Sequence, residues 1–278
     1  MFDDLIDRIS RTGFNVHAVE VLCGGEVVFH HAFHEEKRYP IYSITKSVTS
    51  AAFSLACDDR KVSAEMPLAD LLEKRYRARM SDDFTKMPFK RFLTMTAGKY
   101  PFRPAGDDWT DGILSLGTNH SDTAFHYSNI PAYLVGAALE NALGCRLTDY
   151  LQERLFDPLG IPAPKFAMSP EGHFYGATGM ELTVHELALL GELYRLRGGN
   201  IISAKAVGEA LTAHVRTDAE GVGYGYFFRV YKDHFDMSGK WGQRCMVFPE
   251  RQLVLAYMAD EPERSDKLIS AMTAAVAL

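Results

Sequence analysis

The spacing of apolar residues predicts that the chain begins with a helix and a β-hairpin. Four apolar residues near the N-terminus recur at helical spacing and indicate a short helix over residues 2–11, namely Phe2, Leu5, Ile6 and Ile9. Two β-rich runs follow, from Val16 to Leu22 and from Val27 to Phe33. Between them, Cys23-Gly24-Gly25-Glu26 has the paired glycines that suit a hairpin turn. A mostly apolar, and therefore largely buried, helix is predicted from Ser43 to Cys57.

Helical patterns fill the middle of the chain, and strand patterns return near its end. Within residues 61–170 the clearest helix runs from Ile130 to Ala142, with Pro131 in its first turn and Gly144 as its C-cap. Another helix is expected from Leu147 to Leu155. The last third of the chain contains three predicted strands and a final helix, over residues 223–231, 244–248, 253–258 and about 264–276.

This order of elements predicts an α+β fold in one domain over residues 1–278. Residues 1–60 and 171–278 would form an antiparallel sheet flanked by helices. Residues 61–170 would form an inserted, mainly helical lobe. Because ligands commonly bind in the crevice between two lobes, we expect the functional site there.

Composition narrows the class of protein and its partners. Apolar residues make up 47% of the 278 positions and charged residues 24%, as in an ordinary soluble globular protein. The formal net charge is −6, and no basic stripe is visible, which argues against nucleic acid as a partner. We therefore expect a small molecule to be the partner, and composition leaves the oligomeric state open.

Cysteine spacing and the N-terminal residues bear on metal binding and location. The four cysteines lie far apart, with no CxxC pair and no Cys/His cluster at metal-ligand spacing, so buried free thiols are expected. The acidic N-terminus lacks the basic start and uninterrupted apolar run of a secretory signal. No stretch approaches the ~18–20 apolar residues of a membrane span. The sequence thus predicts a cytoplasmic protein, unless a leader has been removed.

Ser43 and Lys46 form the first candidate for chemistry. Their spacing of three places both side chains on one face of the predicted helix. A lysine in a desolvated pocket can take the proton of a serine hydroxyl, and a serine at the first helical turn can offer its backbone N–H to an oxyanion. The alternative is an N-cap serine and a surface lysine, and an S-x-x-K string alone arises about once by chance in a chain this long. The apolar helix around Lys46 disfavours a surface position for the lysine.

Tyr127 and Asn129 form the second candidate, directly before the helix at Ile130. A phenol near a lysine ammonium can relay the serine proton, and the Asn129 amide can bind Lys46 or a substrate amide. Helix capping is the alternative role for Asn129, and for Asn129 considered alone it is the better interpretation.

The third candidate is Lys240-Trp241-Gly242-Gln243, at the start of the predicted strand 244–248. Gln243 could supply the second oxyanion N–H, and the charge of Lys240 would favour a substrate carboxylate. The alternative is a turn between two strands, for which the glycines alone would be sufficient reason.

With these three elements in order, the chain resembles the large serine β-lactamase-related family. That family includes class C β-lactamases, DD-peptidases, type-VIII-like esterases and 6-aminohexanoate-dimer hydrolases. Its S-x-x-K, Y-x-N and K-T-G or H-x-G motifs correspond here to Ser43/Lys46, Tyr127/Asn129 and Lys240/Gly242. Further segments also follow the family pattern, over residues 42–50, 92–98, 127–144, 156–161, 177–183 and 223–226. The resemblance covers nearly the whole chain and implies a β-lactamase/transpeptidase-like fold.

The resemblance also implies a mechanism. Ser43 would be acylated, Lys46 and Tyr127 would move its proton, and water would release the acyl group without a metal or an organic cofactor. The chain departs from the family in two ways: Trp241 replaces the threonine of K-T-G, and no Glu-containing deacylation loop of the class A kind is evident. In β-lactam-processing members that threonine or a serine helps hold the substrate carboxylate, so Trp241 favours another substrate.

We therefore expect a serine hydrolase that acts on a small ester or amide. The first alternative is a DD-peptidase or β-lactamase with a peptide or lactam substrate. The second is a non-catalytic binding protein that keeps the fold without turnover, since a fold by itself does not fix function.

Overall fold

The computed structural model describes residues 3–276, and its main sheet is assembled from both ends of the chain. Eight antiparallel strands lie in the order β2-β1-β10-β9-β8-β7-β6-β5. They are β1 (Val16–Cys23), β2 (Glu26–Ala32), β5 (Val215–Arg216), β6 (Gly223–Tyr224), β7 (Arg229–Val230), β8 (Phe235–Ser238), β9 (Arg244–Phe248) and β10 (Leu253–Ala259). A separate two-stranded ladder joins β3 (Tyr39–Pro40) to β4 (Glu181–Leu182).

The described part of the chain contains ten α-helices. They are α1 (Asp3–Thr12), α2 (Thr45–Asp58), α3 (Asp82–Thr85), α4 (Phe89–Leu93), α5 (Trp109–Leu114), α6 (Ile130–Leu143), α7 (Leu147–Leu151), α8 (Val184–Arg195), α9 (Ala204–Leu211) and α10 (Ser265–Val276). Among residues 3–276, no helix is both long enough and apolar enough to cross a membrane.

The sheet has an apolar layer on each face. Helix α8 packs on β1, β9 and β10 and belongs to the larger core, together with α2 and α6. Helices α1 and α10 cover the other face, where Leu5 and Met272 pack with Val19 and Leu255. Because both faces are covered, every residue of β10 is buried.

Helix α2 connects the sheet to the helical region and holds the start of the predicted site. Twelve of its residues are buried, and it packs mainly against α6 and α9. A helix buried on all sides is expected to be largely apolar, and two of its buried polar side chains, Ser47 and Thr49, donate to backbone carbonyls of neighbouring segments. The segments within residues 61–170 are helices and loops, apart from isolated bridges.

Several elements differ from the prediction. The strand expected over 223–231 is two short strands, β6 and β7, because the chain bends between them, where Phe227 adopts a φ of 63°. The helix expected over 147–155 becomes a π-helical turn from Gln152. Strand β8 and helices α8 and α9 were not predicted. Within the first helix, Phe2 lies outside the described residues.

Candidate active site

Ser43 lies in a 3-10 turn, Tyr42–Ile44, that leads directly into α2. The turn is held by Ile41 and Ile44, both fully buried, while Ser43 itself is half-buried and lines a cleft. Tyr42 has a φ of 48°, in the left-handed region that non-glycine residues rarely adopt. Such a conformation persists only where its surroundings enforce it, and it is common next to functional residues.

Lys46 is buried beside Ser43, with a relative exposure of 1%. Its Nζ lies 3.0 Å from Ser43 Oγ, 2.7 Å from Asn129 Oδ1 and 3.0 Å from the carbonyl oxygen of Ala177. Burial lowers the pKa of Lys46 from its usual value, and the interaction with Tyr127 opposes that shift. A surface position for Lys46 is therefore wrong.

Asn129 occupies the N-cap position of α6, but its side chain makes no capping hydrogen bond. Its Oδ1 accepts from Lys46, and its Nδ2 donates to the hydroxyl of Tyr175 over 3.1 Å. The capping interpretation is thus wrong, because both ends of the amide are committed to neighbouring side chains. Asn129 links α6 to α2 across the site.

Tyr127 places its ring near the Lys46 ammonium, 5.0 Å from the ring centroid to Nζ. The ring is half-buried and lies edge-on to Tyr224, with the centroids 6.4 Å apart. The structure therefore brings Ser43, Lys46, Tyr127 and Asn129 together from two separate segments of the chain. Lys46 also donates to the backbone carbonyl of Ala177. The sequence could not predict this contact, because a backbone group is not marked by any particular side chain.

The third predicted motif is only partly at the cleft. Lys240 lines it, but its Nζ lies 3.9 Å from the ring centroid of Trp241. Trp241 is half-buried with a φ of 63°, and its ring is edge-on to Tyr42, 5.3 Å between centroids. Its side chain is not part of the cleft wall.

Gly242 and Gln243, for which the sequence suggests a role in substrate or oxyanion binding, are not among the residues that line the cleft. Gln243 is buried, and its amide bonds both the backbone N–H and the backbone carbonyl of Ala259 on β10. Its side chain secures the turn to the sheet. The cleft is instead lined by Ser238 at the end of β8 and by the two residues that follow it, Gly239 and Lys240.

Gly239 shows how closely that strand end approaches the serine turn. A Cβ at this position would lie 2.4 Å from the carbonyl oxygen of Ile41, a distance that real Cβ atoms essentially never show. Glycine is therefore required for β8 to end against the turn that carries Ser43.

The cleft has a volume of about 290 Å³. Its wall combines aromatic and cationic groups, and most of these the sequence did not single out: Tyr42, Phe102, Arg103, Thr178, Tyr224, Phe227, Arg229, Asp236, Ser238 and Arg244. A strand pattern over Asp236 and Ser238 would have been the signal for two of them, since alternate residues of a strand share a face.

One ion pair is buried in this wall. Asp236 is fully buried, and its two oxygens accept from Arg244 Nη1 at 2.5 Å and from Ser238 Oγ at 3.0 Å. Burial lowers the pKa of Arg244, but the Asp236 carboxylate and nearby tyrosines outweigh it, so the net shift is upward. In the described part of the chain, no group of His, Cys, Asp or Glu side chains could hold a metal ion.

Known structures share this architecture. A penicillin-binding protein from Bacillus halodurans aligns with a TM-score of 0.79 at 15% identity, over 98% of this chain and 99% of that one. EstCE1, a hydrolase with promiscuous acyltransferase activity, aligns with a TM-score of 0.79 at 15% identity, over 99% and 97%. A Bacillus anthracis protein proposed to be a 6-aminohexanoate-dimer hydrolase aligns with a TM-score of 0.77 at 15% identity, over 98% and 81%.

Sequence comparison gives the family directly. A comparison with curated proteins yields no match. The family model described as Beta-lactamase matches residues 2–277, which is nearly the whole chain. The fold, its antiparallel sheet flanked by helices, agrees with that match. The chain belongs to the Beta-lactamase family.

Proposed function

We propose that the chain is a serine hydrolase that transfers the acyl group of a small ester or amide to water through an acyl-enzyme on Ser43. The observation that carries the proposal is the buried Lys46 amine 3.0 Å from Ser43 Oγ, at the edge of an open cleft. A serine hydroxyl becomes an effective nucleophile when a base within hydrogen-bond reach takes its proton.

Two fixed acceptors orient that base. Asn129 Oδ1 and the carbonyl of Ala177 can only accept hydrogen bonds from Lys46, so a neutral amine directs its two N–H groups at them. Its lone pair then points to the third neighbour, the Ser43 hydroxyl. Burial lowers the pKa of Lys46 and so favours the neutral form that can accept the proton.

Tyr127 completes the proton path. Its side chain lines the cleft and lies beside Lys46, so it reaches both the amine and a bound substrate. It would pass the proton from Lys46 to the leaving group, and the same pair would activate water for deacylation. No other general base is needed for either half of the reaction.

Two backbone N–H groups, those of Ser43 and Lys240, would stabilise the oxyanion. Ser43 and Lys240 both lie in the first turn of 3-10 segments, where N–H groups lack an intrahelical acceptor, and both line the cleft. Gly239 keeps the two segments adjacent. We assign the second donor to Lys240 in place of Gln243, because Lys240 lines the cleft and Gln243 does not. A preformed pair of donors stabilises the charge that develops on the carbonyl oxygen.

We favour an ester or amide as the substrate over a β-lactam or a peptidoglycan peptide. EstCE1 is described as a hydrolase with promiscuous acyltransferase activity. The proposed substrate of the Bacillus anthracis protein, the 6-aminohexanoate dimer, is an amide. The turn residue Trp241 replaces the hydroxyl residue that lactam-processing relatives place there. The cavity also suits a small acyl group.

Turnover of a substrate panel tests the proposal. We expect hydrolysis of short-chain p-nitrophenyl esters, with little hydrolysis of nitrocefin or a D-Ala-D-Ala peptide. Ser43→Ala should lose several orders of magnitude in rate, while Ser270→Ala, an exposed serine on α10, should retain full activity. A Ser43→Ala variant with more than about a hundredth of the wild-type rate would refute the nucleophile. Efficient nitrocefin hydrolysis would refute the substrate ranking.

A further inference from the structure

A second pocket opens beside the C-terminal half of α2, away from the serine turn that precedes this helix. Its walls come mainly from α2, from the segment that follows α2 and from the first two turns of α9. Its volume is about 410 Å³, against about 290 Å³ for the cleft, and the two share no lining residue. A pocket of this size can hold a small molecule.

Two buried hydroxyl groups of this pocket lack a partner in the protein. Ser54 is 2% exposed and Tyr226 is 3% exposed, and both side chains line the pocket. Among residues 3–276, neither hydroxyl forms a hydrogen bond. Buried hydroxyls are normally hydrogen-bonded, because an unsatisfied one is not compensated for its lost hydration. A molecule in the pocket is therefore needed to satisfy both groups.

Apart from these hydroxyls, the inner wall is mostly apolar. Phe53 and Val62 are buried, and Ala64 packs against the same core. The ring of Phe53 meets that of Tyr226 edge-on, with the centroids 6.0 Å apart, and His214 stacks on the Tyr226 ring at 4.7 Å. These contacts fix the orientation of the Tyr226 ring. An apolar ligand body would remove the wall from water, which is favourable.

The charges around the pocket do not favour an ion of either sign. Burial raises the pKa of the Cys57 thiol to about 12, so this group inside the pocket is neutral at physiological pH. Charged side chains of both signs line the pocket as well: Asp58, Glu65, Lys90, Lys205 and Glu209. Lys90 lies 3.8 Å from Glu65, and Asp58 accepts from the backbone N–H of Ser203. Such a mixed set creates no strong field of one sign.

We propose that this pocket binds a small neutral molecule with an apolar body and one hydroxyl group, that is, a phenol or an alcohol. A hydroxyl both donates and accepts, so one ligand group can pair with either protein hydroxyl, Ser54 or Tyr226. A charged ligand would lose its hydration at the apolar wall without gaining a free counter-charge. Binding here does not depend on whether Ser43 is a nucleophile, because the two sites share no residue.

Fluorinated probes test the class of ligand, and titrations followed by ¹⁹F NMR measure their binding. 4-Fluorophenol and fluorobenzene differ in one hydroxyl. We expect a Kd of about 1 mM or lower for the phenol, about tenfold tighter than for fluorobenzene, which is the effect of one or two hydrogen bonds. 4-Fluorobenzoate and protonated 4-fluorobenzylamine should bind more weakly than the phenol. Absence of phenol binding, or tighter binding of a charged probe, would overturn the proposal.

Removal of the two hydroxyls tests the role of Ser54 and Tyr226. The double variant Ser54→Ala, Tyr226→Phe should lose the tenfold preference for 4-fluorophenol and still bind fluorobenzene, because the shape of the pocket is unchanged. Tyr257→Phe is the matched control, since Tyr257 is a fully buried tyrosine of β10 whose hydroxyl also lacks a partner but lies outside the pocket. A preference that persists in the double variant, or that Tyr257→Phe reduces equally, would overturn the proposal.

Filling the pocket tests where the probe binds. Cys57→Phe adds a ring at the pocket wall and should weaken 4-fluorophenol binding at least tenfold. Cys145→Phe adds the same ring at an exposed cysteine outside the pocket and should bind the probe as wild type does. Thermal melts show whether both variants fold, and the hydroxyl variants decide the matter if Cys57→Phe does not. Equal binding by the two folded variants would place the ligand elsewhere and overturn the proposal.

Discussion

At the scale of single residues, Lys46 and its three acceptors determine what Ser43 can do. Their relation was predicted in part, since a spacing of three on a helix places two side chains on one face. The acceptors Asn129 and Ala177 come from segments 83 and 131 residues away. Helix periodicity carries no information on such distant contacts, so the sequence could not decide between capping and the contact with Lys46 for Asn129, and it missed Ala177.

Lys46 and Tyr127 should act as one proton-transfer unit. Lys46→Ala and Tyr127→Phe should each lower kcat by orders of magnitude, and the double variant should lose little more than the worse single variant, because either change interrupts the same path. Steady-state kinetics of the four proteins forms the complete cycle. Strictly additive losses would show that the two groups act in separate steps.

The protonation of Lys46 should set the pH dependence of the reaction. Because burial lowers the pKa of Lys46, kcat/KM should rise with pH and level off below the usual pKa of a lysine. Asn129→Asp would put a carboxylate against the amine, stabilise its protonated form and raise the pKa. The rise should then occur at higher pH. An unchanged profile would mean that the side chain at position 129 does not interact with the Lys46 amine.

At the scale of elements, the end of β8 and the turn before α2 meet at the cleft beside Ser43. Gly239 allows their contact, and Gln243 fixes the turn after β8 to β10 through two backbone hydrogen bonds. The sequence predicted β9 with its observed bounds, yet it missed β8. A four-residue strand is too short to show a clear alternation, and the position of the strand is set by its neighbours in the sheet.

Gly239→Ala tests the contact between these two elements. The added Cβ must push β8 or the serine turn aside, and a misplacement of about 1 Å can cost about a hundredfold in rate. Gly208→Ala in α9, where a Cβ meets nothing within 4 Å, is the matched control and should leave the rate unchanged. Ester hydrolysis by Gly239→Ala within twofold of wild type would show that the reaction does not need this contact.

Helix α8 illustrates what the sequence offered but pattern reading overlooked. Its N-terminus carries a capping box, in which the Thr183 hydroxyl accepts from the Glu186 N–H and the Glu186 carboxylate accepts from the Thr183 N–H. A T-x-x-E string before an apolar run is a recognised helix start. The chain offered that signal, whereas the way α8 lies across three strands depends on packing.

At the scale of the whole molecule, the sheet is held between two helical layers, and α8 lies unusually close to it. A Cβ on Gly191 would lie 2.5 Å from Cys245 Sγ and 2.6 Å from Val254 Cγ1. The predicted architecture, a sheet from both chain ends with helices inserted, is present: β1 pairs with β10, and helices bury the apolar residues of both strands.

Gly191→Ala should therefore destabilise the fold. Overpacking a well-packed core typically costs about 1–3 kcal/mol, which exceeds the gain of about 1 kcal/mol that alanine brings to a helix. Gly208→Ala should show that gain alone. Urea unfolding of both variants gives the two free energies. A Gly191→Ala protein as stable as Gly208→Ala would mean that α8 does not pack at this distance.

The central claim, that Ser43 is the acylated nucleophile, is tested most directly by covalent labelling with a fluorophosphonate followed by peptide mass mapping. We expect one adduct per chain, located on Ser43, with slower labelling in Lys46→Ala because the base is missing. Ser43→Ala should remain unlabelled while Ser270→Ala labels normally. An unlabelled wild-type protein, or an adduct on any residue other than Ser43, would contradict the account.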